Sequence, residues 1–477
     1  MRNFLLIGFL LIGLITNSCK EKSTEAFNRT VYIYGNIITD EIKTNFILNK
    51  FNIITDESES FLVEIDTNGY FQYSLRLDFP QIILFRFESN EIFHVFATPG
   101  DSISFDLKDS LDVQYSNTEH QIFNSNLNII RNEIQKYGYN ELNTRNHINL
   151  KEKDFKLFLD SIKSGLNKRI NILYLQNDWD KSILQVAKNE IDFFYAVCMV
   201  DYQYINKIVF KIDKDIPDEY YSIVDSLFQN YNELIVTHIT NDFLNRIQLR
   251  YISPLTDTTI NNVLKLDSSL LRDILLCRAI YSAVSLKDFE KAQHWFDIYS
   301  GMIQNEILSN QLVDEYSKSY EAFKNPKLET AKLKELVKND HTGIFKEIVK
   351  SHPDKVLYIK FWMPTCGPCM AQLPYLKEIE DKLNPNVFMV INICMPFPKD
   401  KWMATIKEKN ISGVHYLLTE TQSNQLKAAF NMNGIPRYVL INKKGIIVDQ
   451  DAPIPGDMVM QGVNFDLVKK IEELIKN

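Results

Sequence analysis

The 477-residue chain is sparing with residues that build special architectures. It has six cysteines, Cys19, Cys198, Cys277, Cys366, Cys369 and Cys394, and just one pair of them is close in sequence. That spacing excludes the dense disulfide framework of a small stapled domain. Positive charge is not in excess: 53 Lys and Arg stand against 61 Asp and Glu, for a net charge of −8 with both signs mixed along the chain. Non-specific nucleic-acid binding needs a basic surface, so no nucleic-acid partner is expected. Glycine is scarce, at 15 residues, and carries no functional conclusion. No repeat of fixed period is present, which argues against a solenoid. What the chain does have is 45% hydrophobic and 12% aromatic residues, enough for real cores, and length for two to four domains.

The N-terminus has the form of an export signal. Met1-Arg2 gives a short positive start, and Phe4 to Ile15 is a run of twelve apolar or glycine residues. A membrane-spanning helix needs about 20. Ser18 then precedes Cys19, and Lys20, Glu21 and Lys22 turn the chain polar. A cysteine at that break resembles a bacterial lipoprotein signal, although Thr16 stands where the family usually has Leu. The resemblance implies lipidation of Cys19 and a signal over residues 1–19. Two or three acyl chains would anchor the protein stably, at about 0.8 kcal/mol per buried CH₂. The mature chain is then expected in the cell envelope, on the periplasmic side of a membrane or at the cell surface, where disulfides persist.

Three regions follow a polar tether at 20–29. Residues 30–110 hold short strands separated by Asn, Asp, Gly and Pro, such as Phe61 to Ile65, Tyr70 to Leu77 and Gln81 to Phe87. They predict a β-sandwich. The Asp66–Phe71 turn and the run Pro99 to Ile103 resemble the small β domain that precedes redox modules in Bacteroidota lipoproteins. Residues 120–337 have apolar residues at three- and four-residue steps over Lys153–Leu175, Ser182–Tyr204, Leu266–Ser282 and Asp288–Gln304, and predict an all-α region. Cys198 and Cys277 lie on apolar helical faces, where a free cysteine is usually a small core hydrophobe. The last domain is expected over 340–477.

In that last domain, Lys355 to Trp362 is a nearly continuous apolar run suited to a buried parallel strand. Cys366-Gly367-Pro368-Cys369 follows, and Met370 to Leu383 reads as a helix. The pair therefore sits between a strand end and a helix start. Free N–H groups there stabilise an anion, and the thiolate is the attacking species. Cys366, at the tip, is the expected nucleophile and Cys369 the resolving thiol. Pro368 suits a first helical turn. A CxxC alone is also half a zinc site, but zinc needs two more ligands. Cys394 and His415 are the candidates and neither is paired with another ligand in sequence, so no metal is expected.

These residues resemble the thioredoxin family. Phe361-Trp362 through Cys369 match its active-site signature, Pro374 its kinking proline, and Gly434-Ile435-Pro436 its cis-proline loop. The resemblance implies an α/β thioredoxin-like fold over 340–477, with Trp362, Ile435 and Pro436 in contact with client and Gly367 and Pro368 in the active-site loop. The extracytoplasmic, membrane-anchored branch (TlpA/ResA-like) is the nearest. Two positions depart from the pattern: Gln372 stands where that branch often has Glu, and Lys360 where thioredoxins proper have a buried Asp. Lys360 and Gln372 are therefore candidates for tuning the thiol pKa, with Lys360 either stabilising a thiolate or pointing to solvent.

The reading is a multidomain chain, β-sandwich then helices then thioredoxin-like domain, acting as an exported, membrane-anchored protein-disulfide reductase. It needs no cofactor. Its partners would be client proteins with disulfides or thiols and a thiol-electron donor in the membrane. The alternative is a binding or scaffold lipoprotein whose thioredoxin domain recognises a partner. A peroxidase fits poorly, because Thr365 and Cys366 lack the spacing it needs.

Overall fold

A computed structural model describes residues 29–477, apart from 38–44, 88–91, 108–110, 116–117, 140–149, 178, 180, 209–210, 213–215, 231–234, 458–461 and 477. The signal at 1–19, Cys19 and nearly all of the tether lie outside the described residues.

Among the described residues, eight strands build the first unit: β1 (Thr30–Ile37), β2 (Asn45–Asn52), β3 (Glu57–Glu64), β4 (Tyr70–Arg76), β5 (Gln81–Phe87), β6 (Ile92–Ala97), β7 (Ser102–Leu107) and β8 (Leu111–Tyr115). They form two four-stranded sheets, ordered β4-β1-β7-β8 and β3-β2-β5-β6. Alternate residues face inward, as a strand with one buried face requires. Val31, Ile33, Phe46, Leu48, Phe85 and Phe105 share one core between the sheets. Phe46 meets the rings of Phe71, Phe85, Phe87 and Phe105 at centroid distances of 5.0 to 6.2 Å. At Gly35 a Cβ would fall 1.7 Å from the carbonyl oxygen of Phe105, so a glycine lets β1 and β7 close. The sandwich runs past residue 110, because β8 adds an antiparallel strand beside β7.

The second unit is helical. Its long members are Glu152–Gln176, Lys181–Ile208, Leu270–Ser285 and Glu306–Lys324. Ile53, Ile54 and Phe79 from the sandwich enter the same core as Phe193, Phe243, Leu275 and Trp295. Arg278, 1% exposed, donates from Nε to the carbonyl of Ile53 at 2.7 Å. Sandwich and helices are thus packed as one body. Cys198 and Cys277 are buried free thiols whose pKa burial pushes up. Among the described residues, no helix is long and apolar enough to cross a membrane.

The third unit is a six-stranded sheet of β9 (Ala331–Lys334), β10 (Val356–Trp362), β11 (Phe388–Cys394), β12 (Gly413–Leu417), β13 (Arg437–Ile441) and β14 (Ile447–Asp449), ordered β14-β13-β10-β11-β12-β9. β10, β11, β12 and β9 run parallel, while β13 and β14 are antiparallel. Helices His341–Ser351 and Glu420–Ala429 pack on one face, and Leu373–Lys382 and Phe465–Lys476 on the other. Both faces are covered, which is why all seven residues of β10 are buried. The edge strand β9 lies inside the span read as helical, before the boundary expected at 340. Its four residues alternate half-buried and exposed, too short a pattern to stand out from a neighbouring helix.

Candidate active site

β10 delivers the chain to the top of the sheet, and Met363-Pro364-Thr365 turns it. Cys366 is the N-cap of the short helix Gly367–Ala371, and its Sγ accepts from the backbone N–H of Cys369 at 3.2 Å. The same sulfur is therefore held by a free helix-start donor, the group that would stabilise a thiolate. Cys366 and Cys369 are joined as a disulfide with Cα atoms 5.2 Å apart. Their exposure differs: 7% for Cys366 and 0% for Cys369. Cys366 is thus the more accessible sulfur of the two.

The expected helix from Met370 to Leu383 is two helices. It breaks at Gln372, between Gly367–Ala371 and Leu373–Lys382. Pro374 is the cause: it has no N–H for a helical bond and its ring crowds the carbonyl four residues back. Gln372 is 2% exposed, and its Oε1 accepts from the Gly456 N–H at 2.7 Å. That contact spends the side-chain oxygen on holding the loop at 456 against the helix junction.

The Ile435–Pro436 peptide is cis. Ile435 is half-buried and packs in the cluster of Trp362, Cys366, Cys369 and Cys394. Gly367, Pro368 and Thr365 are exposed beside it, and Met363, Met370 and Phe397 are half-exposed. Trp362 corrects an expectation. Its ring is 0% exposed, so it supports the cysteine pair from beneath and does not present itself to a client. As the last residue of β10 it points into the covered face of the sheet.

Lys360 also departs from one of its two readings. It does not point to solvent: it is 0% exposed, with Nζ 5.1 Å from the centroid of the Trp362 ring. Burial drops its amine to about 7, with the Glu380 carboxylate pulling the other way. Burial is also what pushes Glu380 up to about 7, against a hydrogen bond from Ser412 Oγ at 3.1 Å. In sequence Glu380 is one more acidic residue on a helix. Its signal was the period: four residues after Leu376, it sits on the edge of the buried stripe.

Cys394 ends β11 in register with Trp362, is fully buried, and has its thiol pKa raised by burial. His415 is buried too, and its Nε2 lies 3.2 and 3.0 Å from the carbonyl oxygens of Ile411 and Ser412. Carbonyls only accept, so Nε2 carries the proton. Burial drops this imidazole to about 4, and it is neutral at pH 7.

Residues 354–447 match the family model described as thioredoxin-like. Over 49 residues the chain is 29% identical to thioredoxin-1 of Caenorhabditis elegans, a stretch that is 10% of this chain and 43% of that protein. The chain thus spans less than half the length of this curated relative. Among solved structures, the thioredoxin domain of a thiol-disulfide oxidoreductase from Bacteroides vulgatus is 18% identical, covering 27% of this chain and 84% of that one, with a TM-score of 0.23. A thiol:disulfide interchange protein from a Bacteroides species is also 18% identical, covering 27% and 78%, with a TM-score of 0.23. The family model and the sheet order define the class: the C-terminal unit is a thioredoxin-like domain, preceded by a β-rich and a helical region.

Proposed function

We propose that this protein is an exported, membrane-anchored thiol-disulfide oxidoreductase that reduces protein disulfides through Cys366 and Cys369. The observation that carries this reading is the unequal exposure of the bonded pair at the start of a helix, beside the cis Ile435–Pro436 peptide. In the dithiol form, the Cys366 thiolate attacks a client disulfide and a mixed disulfide forms. Cys369 then attacks Cys366, the intramolecular bond re-forms, and the client leaves reduced. Ile435 and Pro436 line the client side of the pair, and Gly367 and Pro368 leave Cys366 open. A thiol-electron donor must then restore the dithiol, and Cys19 would supply the lipid anchor.

Turnover of a protein disulfide by the full-length chain tests the chemistry. The wild type is expected to turn over and Cys366→Ser to show none; full activity in Cys366→Ser would sink the mechanism. Direction is tested by the midpoint potential. A value near about −270 mV fits a reductant, whereas one near about −120 mV would make the protein an oxidant. Radiolabelled palmitate incorporated into wild type and lost in Cys19→Ala would support the anchor; no incorporation would remove it.

A further inference from the structure

The thioredoxin-like domain carries a groove that the cysteine chemistry does not use. It lies beside the β14 edge of the sheet, between helix His341–Ser351, the end of helix Glu420–Ala429 and β14 itself, and has a volume of about 430 Å³. Sites for small ligands run from about 300 to 1,000 Å³. Phe345 and Phe430 form the floor, 7% and 5% exposed, with ring centroids 5.0 Å apart. Val349 and Ile447 form the walls. The hairpin before β14 closes one end: a Cβ at Gly445 would fall 2.5 Å from Val349 Cγ1. Among the described residues, no lining side chain holds a buried polar atom without a partner. The floor is therefore apolar and asks for an apolar occupant.

The rim carries charge of one sign. Lys346 and Lys350 line the groove one helical turn apart, and among the described residues no acidic side chain lines it. Elsewhere in this domain lysines at that spacing face acids: Lys377 meets Asp381 at 3.3 Å and Lys382 meets Glu378 at 3.0 Å. Lys346 and Lys350 face each other instead, which opposes the helix. Neither has an ion-pair partner among the described residues. The carboxylates on the bordering segments are engaged elsewhere. Asp340 accepts from the Gly343 N–H at 2.8 Å, and Glu347 from the N–H groups of Val337 and Lys338 at 3.2 and 3.3 Å. Asp449 pairs with Lys470 at 2.5 Å, and Asp451 with Arg437 at 2.7 Å. In a chain of net charge −8, the groove thus keeps a local excess of positive charge above an apolar floor.

We propose that this groove binds a small amphipathic carboxylate. Its apolar body lies on Phe345, Val349, Phe430 and Ile447, and its carboxylate is shared by Lys346 and Lys350. This site goes beyond the redox reading and does not depend on it, since no groove residue belongs to the cluster around Cys366 and Cys369. Removing the apolar body from water supplies affinity in proportion to the area buried. The ammonium–carboxylate hydrogen bonds, stronger than neutral ones, fix its orientation. The helix wall from Thr342 to Lys350 rises about 12 Å, which suits a chain of medium length. A peptide strand fits less well. Its amide groups would be pressed against side chains that offer no hydrogen-bond partner, and unpaired backbone groups are costly.

The test is calorimetric titration of the full-length protein with decanoate at low ionic strength, beside decylammonium, which has the same chain and the opposite charge. Decanoate should bind at one site and decylammonium should not, and added salt should weaken the binding. Hydrogen exchange should slow over 341–350 and 445–450 when decanoate is present. Replacing both exposed lysines, Lys346→Gln with Lys350→Gln, should weaken decanoate by about tenfold or more. Ala429→Trp fills the groove from an exposed position and should abolish binding with both lysines in place. Decanoate bound equally by the wild type and both variants, or protection confined to other segments, overturns the proposal. Equal binding of decylammonium overturns it too. So does a wild type that binds no decanoate, whether or not a peptide of alternating Glu and Val occupies the groove instead. None of these results bears on turnover by Cys366 and Cys369, so the redox reading stands or falls separately.

Discussion

The Lys287 ammonium and the Glu408 carboxylate form an ion pair in the seam between the helical region and the thioredoxin-like domain, with side chains 3% and 4% exposed. Ser319 donates to the same carboxylate at 2.8 Å, and Lys409 beside it reaches Glu57 of the sandwich at 2.5 Å. On the other flank, Arg86 of β5 meets Glu378 at 2.6 Å and lies 5.2 Å from the centroid of the Tyr375 ring, on the helix that follows the cysteine pair. The thioredoxin-like domain is therefore held by buried charges on two of its helices. Removing one partner of such a pair leaves a charge without compensation.

The two halves of the Lys287–Glu408 pair should not be equivalent. Glu408→Gln leaves Lys287 with the Ser319 hydroxyl, and burial already depresses its pKa. Lys287→Met leaves Glu408 with Lys409 still 3.7 Å away. Urea unfolding should show a loss of about 3–5 kcal/mol for Glu408→Gln. The loss for Lys287→Met should be smaller. Equal effects would mean that Lys409 does not compensate.

A pH dependence resides in the helical core. Glu190 is 2% exposed and accepts from Thr237 Oγ1 at 2.8 Å, and burial raises its pKa from 4.5 to about 7. Between those values the native state binds more protons than the unfolded one. This group's contribution is therefore fully present below pH 4.5 and is lost as pH rises through 7. The loss is on the order of 3 kcal/mol. Glu190→Gln should be more stable than wild type at pH 8 and no more stable at pH 4.5, read by denaturant midpoints. A gain of equal size at both values would contradict the assignment.

Gly456 joins packing to the site. A Cβ there would fall 2.1 Å from the Tyr375 ring, which carries Arg86 on its face, and the Gly456 N–H is the donor to Gln372. Gly456→Ala should cost about 1–3 kcal/mol by overpacking. It should also loosen the helix junction, seen as faster hydrogen exchange over 370–376. Unchanged exchange would show that Tyr375 yields without moving the junction.

The cysteines should separate by role. Cys369→Ser keeps Cys366, the less buried thiol and the proposed nucleophile, and loses the proposed resolving thiol. Incubation with a disulfide-bearing protein should leave that variant joined to client in a complex dissolved by reductant. Cys366→Ser should give no such complex. Complexes formed equally by both would contradict the assignment of nucleophile.

The thioredoxin-like domain is legible in sequence because its signals are local. The apolar run of β10, the CGPC step and Ile435-Pro436 each sit within a few residues. The long helices were legible from their period. β2 was not: its sequence, Asn45 to Asn52, holds three Asn and a Lys around buried Phe46 and Leu48, so composition hid the alternation. β8 and β9 are short, and partners distant in sequence define them. The burial of Lys360 and Trp362 depends on which face of β10 the helices Leu373–Lys382 and Phe465–Lys476 cover, a tertiary fact that no window of sequence contains. The charged seams at Lys287–Glu408 and Arg86–Glu378 join residues 121 and 292 positions apart, beyond any local pattern.

The most direct test of the account is an equilibrium redox titration of the full-length protein in defined thiol buffers, quenched with an alkylating tag and read by mass. The account predicts that two tags appear together, on Cys366 and Cys369, as the buffer becomes more reducing. The midpoint should lie near about −270 mV. A pair that stays untagged, or stays doubly tagged, across the whole range would contradict it.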